Sequence, residues 1–166
     1  YGQVSQTPLG NDFIQIAGGR DHSLALRSDG SLVGWGKDTF GQVSNAPSGG
    51  GFTKIAGSFS HSMALKADGS IVVWGDVRDP LFFDAPSSSN FSDLDCGALH
   101  GVGLKGDGSV VMWGENKKGQ LDNPPLTSDV AQVAAGVYHN LAVRQDSSIV
   151  AWGWDGYGLV SETLPG

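Results

Sequence analysis

From Phe13 to Gly19 apolar and small residues leave few polar positions: Phe13, Gln15 and Ala17 alternate with Ile14, Ile16 and Gly18. That pattern predicts a short strand with little solvent contact. Its small-residue end fits a place where backbones converge on a crowded centre. His22 to Arg27 reads as a second strand, with Leu24 and Leu26 on one face and Ser23 and Ala25 on the other, so that large side chains meet small ones across a packed interface. Asp29-Gly30 follows between two apolar runs, which predicts a tight hairpin because a type I′ turn needs positive φ at both central residues. The third run, Leu32 to Gly36, is almost continuously apolar and predicts a strand buried on both faces, in a sheet sandwiched between neighbours.

The whole pattern then returns every 39 residues. His22, His61, His100 and His139 keep this interval, as do Trp35, Trp74, Trp113 and Trp152, and Asp29, Asp68, Asp107 and Asp146. Such a period marks a supersecondary unit that buries its apolar faces only against copies of itself. The units run over about 10–48, 49–87, 88–126 and 127–165, in a single array spanning 1–166. Residues 1–9 read as the connector of a preceding repeat, because Tyr1 to Thr7 is echoed by Tyr157 to Thr163, and the ends therefore look like cuts through a longer array. No unit has room for a helix. The expected fold is all-β: a β-propeller of four complete 39-residue blades of short antiparallel strands, part of a larger ring, with a β-solenoid as the alternative.

The run Ala17-Gly18-Gly19-Arg20-Asp21-His22-Ser23-Leu24-Ala25-Leu26, then Ser28-Asp29-Gly30, Trp35-Gly36 and Gly41-Gln42, resembles the repeats of the regulator of chromosome condensation family. The resemblance covers the whole chain. It implies a β-propeller, most often of seven blades, and the short period is similar to the family's bacterial branch, which includes a propeller that inhibits secreted β-lactamases. Four blades then leave three arrangements: part of a longer propeller, which is the expected one, an eight-blade ring made by two chains, or a closed four-blade ring.

A formal net charge of -7 with scattered basic residues argues against nucleic acid as a partner. No apolar run reaches the length that spans a bilayer, so no membrane insertion is expected. Acidity, abundant glycine and few lysines suit an extracellular or cell-surface protein. The single cysteine, Cys96, shares a column with Gly18, Gly57 and Ala135 and is expected to be a small buried thiol.

Each in-phase column has a structural reading that outweighs a chemical one. Equivalent histidines invite a metal, but a ring places them on separate blades with no carboxylate or thiolate in phase, so they are expected to satisfy backbone groups between blades. The tryptophans are expected to pack and the hairpin aspartates to serve their turns. No catalytic constellation, metal site or cofactor motif is assembled. Asn90-Phe91-Ser92 fits a glycosylation sequon.

Binding is expected where regular repeats vary. One window precedes each histidine and the other follows each Trp-Gly, and in an up-and-down blade both fall on one rim. That rim gathers the aromatic residues Phe40, Phe59, Tyr138, Trp154 and Tyr157. Its charged residues are Arg20, Asp21, Asp38, Arg78, Asp79, Lys117 and Asp155. After the second Trp-Gly, Asp79-Pro80-Leu81-Phe82-Phe83 replaces the Gly-Gln type of connector, and Phe83 is expected in an exposed contact patch. Aromatic and arginine anchors among charges are what protein interfaces concentrate. The expected function is noncatalytic binding of a protein or glycan through this rim; a structural subunit of a larger complex, with self-association, is the second reading. Inhibition of a secreted enzyme such as a β-lactamase is third, because the column before the histidines reads Asp21, Ser60, Leu99 and Tyr138, with one aromatic.

Overall fold

The computed structural model describes residues 2–76, 84–158 and 160. Twelve strands form four sheets, each of three consecutive antiparallel strands in chain order. Blade 1 holds β1 (Phe13–Gly18), β2 (His22–Arg27) and β3 (Leu32–Gly36); blade 2 holds β4 (Phe52–Gly57), β5 (His61–Lys66) and β6 (Ile71–Gly75). Blade 3 holds β7 (Phe91–Cys96), β8 (His100–Lys105) and β9 (Val110–Gly114), and blade 4 holds β10 (Val130–Ala135), β11 (His139–Arg144) and β12 (Ile149–Gly153). The register repeats as faithfully as the sequence: Ser23, Ser62, Gly101 and Asn140 lie opposite Trp35, Trp74, Trp113 and Trp152.

The first strand of each sheet lies innermost, where β1, β4, β7 and β10 line a polar cavity of about 330 Å³. Their small ends are required by close approach. A Cβ on Gly57 would lie 2.9 Å from the Gly19 backbone nitrogen. At the opposite end, the hairpin glycines have φ of +79°, +79° and +83° at Gly30, Gly69 and Gly108. Their carbonyls accept hydrogen bonds from Phe52, Phe91 and Val130 N–H of the next blade.

The core sits between blades, not within them. Leu24 and Leu26 of blade 1 pack on Phe52, Ile55, Ala64 and Trp74 of blade 2; Met63 and Leu65 on Phe91, Leu94 and Trp113; Val102 and Leu104 on Val130, Val133 and Trp152. Large residues of one middle strand thus meet the small residue of the next, as their alternation requires. A further polar staple repeats on the inner strands: the Gln15 amide accepts from Ile55 N–H at 3.0 Å and donates to its carbonyl at 3.2 Å. One junction on, Lys54 pairs with the Asp93 carboxylate, and Asp95 then accepts from Ala135 N–H at 2.9 Å.

Two expectations fail. The third strands are mostly half-buried, with Trp74, Trp113 and Trp152 buried and Ile149 exposed, because each is the outer edge of its sheet and the middle strand is the one covered on both faces. Nor is the first strand shielded in blade 1: Ile16 is 77% exposed, whereas its counterpart Ile55 is 3% exposed. No described blade precedes β1, and none follows blade 4, where Leu141 is 37% exposed against 1% for Leu24. Among the described residues the four blades form an open arc and not a closed four-blade ring.

Candidate protein interface

Both variable windows meet on one rim through backbone hydrogen bonds. Lys37 N–H donates to the Asp21 carbonyl at 2.8 Å, and Asp76, Glu115 and Trp154 do the same to Ser60, Leu99 and Tyr138. The turn between first and second strands is therefore tied to the exit from the third. The glycine after each tryptophan makes this possible: Gly36, Gly75, Gly114 and Gly153 have φ between +102° and +121°, and a Cβ there would press on the turn's carbonyl.

Blade 4 gathers the aromatic residues. Trp154 stacks edge-on against Tyr138 at 5.7 Å and against Tyr157 at 5.1 Å, and Tyr157 is 80% exposed. Across the rim the Arg20 guanidinium lies 5.6 Å from the exposed Phe59 ring. Between them the turns frame an apolar hollow of about 320 Å³, walled by Phe59, Ala98 and Val137 over glycines. Phe40 is half-buried.

Several charged rim residues are occupied internally. Asp21 accepts from both Arg20 and Lys37 at 3.2 Å, and these contacts, Lys37 first, hold its carboxyl below the usual range. Asp38 Oδ1 accepts from Val43 and Ser44 N–H, and Asp155 Oδ1 from Val160 N–H, so both carboxylates shape the connector turn. Lys117 pairs with Glu115 at 2.6 Å. Arg78, Asp79 and Phe83, with the contact patch expected at Phe83, lie outside the described residues.

The histidines bond differently from expectation. His22 Nε2 meets Ser62 Oγ at 2.9 Å, and His100 Nε2 meets Asn140 Oδ1 at 2.9 Å, so these two cross to side chains of the next blade. Ser62 spends its hydroxyl proton on the Gln42 carbonyl, which makes His22 Nε2–H the donor. His61 faces Gly101, which offers no side chain, and instead donates to the Asp76 carbonyl of its own blade at 2.9 Å. Burial holds His22 and His100 below the ordinary imidazole range. Among the described residues no three His, Cys, Asp or Glu side chains are placed to hold a metal.

The hairpin aspartates each accept from the backbone N–H two residues on, at 2.8 to 2.9 Å. Trp74, Trp113 and Trp152 are buried, and Trp35 is half-buried with its indole N–H on the Gln3 carbonyl. Cys96 is a buried free thiol whose pKa burial pushes well up. Sequence reasoning missed the Gly-Gln glutamine as a hub. The Gln42 carbonyl takes both Trp74 Nε1–H and Ser62 Oγ–H while its side chain accepts from Phe40 N–H. The in-phase Gln3, Gln42 and Gln120 carried that signal.

The regulator of chromosome condensation (RCC1) repeat matches this chain at residues 13–42, 91–120 and 130–159, more than half its length. The chain belongs to the RCC1 repeat family. The matched windows omit the second repeat, whose connector lacks Gly-Gln. Among solved structures, this RCC1-repeat chain is similar to the CRINKLY WD40 ectodomain of the Arabidopsis thaliana receptor kinase ACR4, at 25% identity and TM-score 0.72, covering 85% of this chain and 50% of that one. Yeast RCC1 (Prp20), solved with Kap60 bound, matches at 19% identity and TM-score 0.70, covering 89% and 45%. The computationally designed Ika4 protein matches at 14% identity and TM-score 0.56, covering 89% and 94%. The chain thus spans about half the length of the natural relatives it matches here. No curated protein matches it.

Proposed function

We propose that this RCC1-repeat array is a noncatalytic protein-binding module that engages its partner through the rim described above. The observation that carries this reading is the Tyr138–Trp154–Tyr157 stack, whose outer ring is 80% exposed. In the other blades the Trp154 position holds Lys37, Asp76 and Glu115, so the aromatic is an addition that the framework does not require. Stacked aromatics present apolar area with little rotamer entropy to lose on binding, the property of interface anchors. Exposed Phe59 beside Arg20 supplies a second anchor across the apolar hollow. Support from relatives is general: Prp20 is a propeller solved with a protein partner, Kap60. An extracellular or cell-surface setting is part of the proposal, supported by acidic composition and by the ectodomain character of the ACR4 relative.

A photoreactive phenylalanine placed at position 157, and a control at position 31 on the opposite rim, tests the reading in extract and in culture medium of the source cells. Specific capture of a protein at 157 alone is expected, with Trp154→Ala weakening that complex by about 2 kcal/mol. Equal capture at both positions overturns the rim reading, and capture of a glycan redirects it.

A further inference from the structure

We infer that the apolar hollow of the rim, with the Arg20 guanidinium at its edge, is a socket for a protein loop that presents one large apolar side chain next to an aspartate or glutamate. This rests on the reading of the rim as a protein-binding surface and names what that surface accepts. The hollow lies over the turns that join first and second strands, not on the outer face of a blade, so it does not depend on what adjoins blade 1 or blade 4.

The scaffold dictates its floor. A Cβ on Gly19, Gly97 or Gly136 would strike Cε1 of His22, His100 or His139, whose rings lie directly beneath these turns. The histidine column thus keeps the floor free of side chains, and the next position of each turn, Arg20, Phe59, Ala98 or Val137, supplies the wall. Ser58 departs from glycine in the floor column, and it holds Phe59 in place. Its Oγ accepts from Phe59 N–H at 2.6 Å and donates to the Ala98 carbonyl of the next blade at 2.7 Å. A preformed hollow of about 320 Å³ receives an anchor side chain without reorganising.

Charge selects the neighbour of that anchor. In a chain of net charge -7, Arg20 is the one charged side chain among the described residues that wall the hollow. Its guanidinium is fixed from two sides: Nε donates to Asp21 at 3.2 Å, and Cζ lies 5.6 Å from the Phe59 ring centroid. Asp21 is shared with Lys37, so two cations divide one carboxylate. The terminal nitrogens of Arg20 have no partner among the described residues, and the side chain is 59% exposed. A guanidinium held this way offers a carboxylate two parallel N–H donors and loses little freedom in binding it. Because the fork stands at the edge of the hollow, the carboxylate and the anchor come from neighbouring residues of one loop. The Tyr138–Trp154–Tyr157 stack, which begins next to Val137, extends the surface past the reach of a small organic acid.

A phage library of disulfide-closed random loops, panned against the whole chain and against Arg20→Glu, tests the inference. Wild type is expected to enrich loops with Leu, Met or Phe beside Asp or Glu, and Arg20→Glu to enrich the same apolar residue beside Lys or Arg. The best wild-type loop, titrated as a synthetic peptide, is expected to bind Arg20→Gln about tenfold more weakly and Phe59→Ala about 30-fold more weakly. Both side chains are at the surface, and circular dichroism of each variant is expected to match wild type. Loops selected alike by wild type and Arg20→Glu, loops lacking the apolar residue, or no enrichment at all overturn the inference. Loops that need Trp154 but neither Arg20 nor Phe59 also overturn it and leave the rim reading standing. A loop that needs Arg20 and Phe59 supports it even where capture at position 157 fails.

Discussion

His100 Nε2–H donates to Asn140 Oδ1 across the junction of blades 3 and 4, and Asn140 passes its own amide N–H to the Gln120 carbonyl at 2.8 Å. All three groups are buried, so truncation to alanine strands a donor and an acceptor away from water. Asn140→Ala is expected to lower stability by about 1–3 kcal/mol. Asn140→Ser is expected to lose less, since Ser62 performs the same relay between His22 and Gln42. Urea unfolding of the two variants checks the order; equal losses would mean that the relay is not what the junction needs.

The same imidazoles give the array a pH dependence. His22 and His100 are held below the ordinary value of 6.5 by burial, and both use Nε2–H as donor, leaving Nδ1 buried without a hydrogen bond. A depressed histidine means that the unfolded chain binds the proton first. Stability is then constant above 6.5 and falls as pH drops below it. The hairpin aspartates are lowered from 3.8, so their loss comes only in stronger acid. Asp95, raised by burial, works in the opposite sense at the acid end. Denaturation midpoints are expected to fall between about pH 7.5 and pH 5.5. The double variant His22→Gln, His100→Gln is expected to flatten that fall, and a wild-type profile without slope would refute the assignment.

Glycines of the blade are not equivalent. Gly114 has φ of +102°, and a Cβ there would sit 2.5 Å from the Leu99 carbonyl oxygen, on the backbone tie that joins the two rim windows. Left-handed strain and the clash together make Gly114→Ala cost about 2 kcal/mol or more. Gly106, exposed, meets only the Asn90 carbonyl at 3.7 Å, and the other repeats hold Ser28, Ala67 and Gln145 there. Gly106→Ala is expected to be neutral or to stabilise by up to about 1 kcal/mol. Thermal unfolding of the pair distinguishes geometry from glycine content.

How far the sequence carried these conclusions differs from level to level. Blade topology was legible, because alternation, Asp-Gly and the 39-residue phase each restate the same unit. The meeting of the two windows followed from up-and-down topology alone. Partners of the histidines were not legible, since a column of His says nothing about which column it faces; that requires the step between adjacent blades, which brings Ser62 to His22 and leaves His61 opposite Gly101. The third strand misled for a related reason. Val110 to Trp113 is apolar enough to be covered on both faces, yet an edge strand is half-exposed however apolar it is. On the rim, Asp38 and Asp155 looked free in one dimension and cap the connector in three.

Ser147 is the fourth hairpin's departure from Asp-Gly, and it shows what that glycine does. Its φ is +70°, with N–H donating to the Arg144 carbonyl at 3.0 Å, and Asp146 still accepts from Ser148 N–H at 2.9 Å, so the turn is retained. The serine therefore bears the left-handed penalty, about 1–2 kcal/mol for a residue with a Cβ. Glycine removes that penalty but adds freedom to the unfolded chain, which offsets about 0.5–1 kcal/mol. The balance favours Ser147→Gly by up to about 1.5 kcal/mol. In a repeat array such a gain is felt first in the blade that carries it. Amide exchange in β11 and β12 of the isolated monomer is expected to slow several-fold while β2 and β3 are unchanged; uniform slowing of all blades would show that the array unfolds as one unit, and no slowing would remove turn strain as the reason for glycine in the other three hairpins.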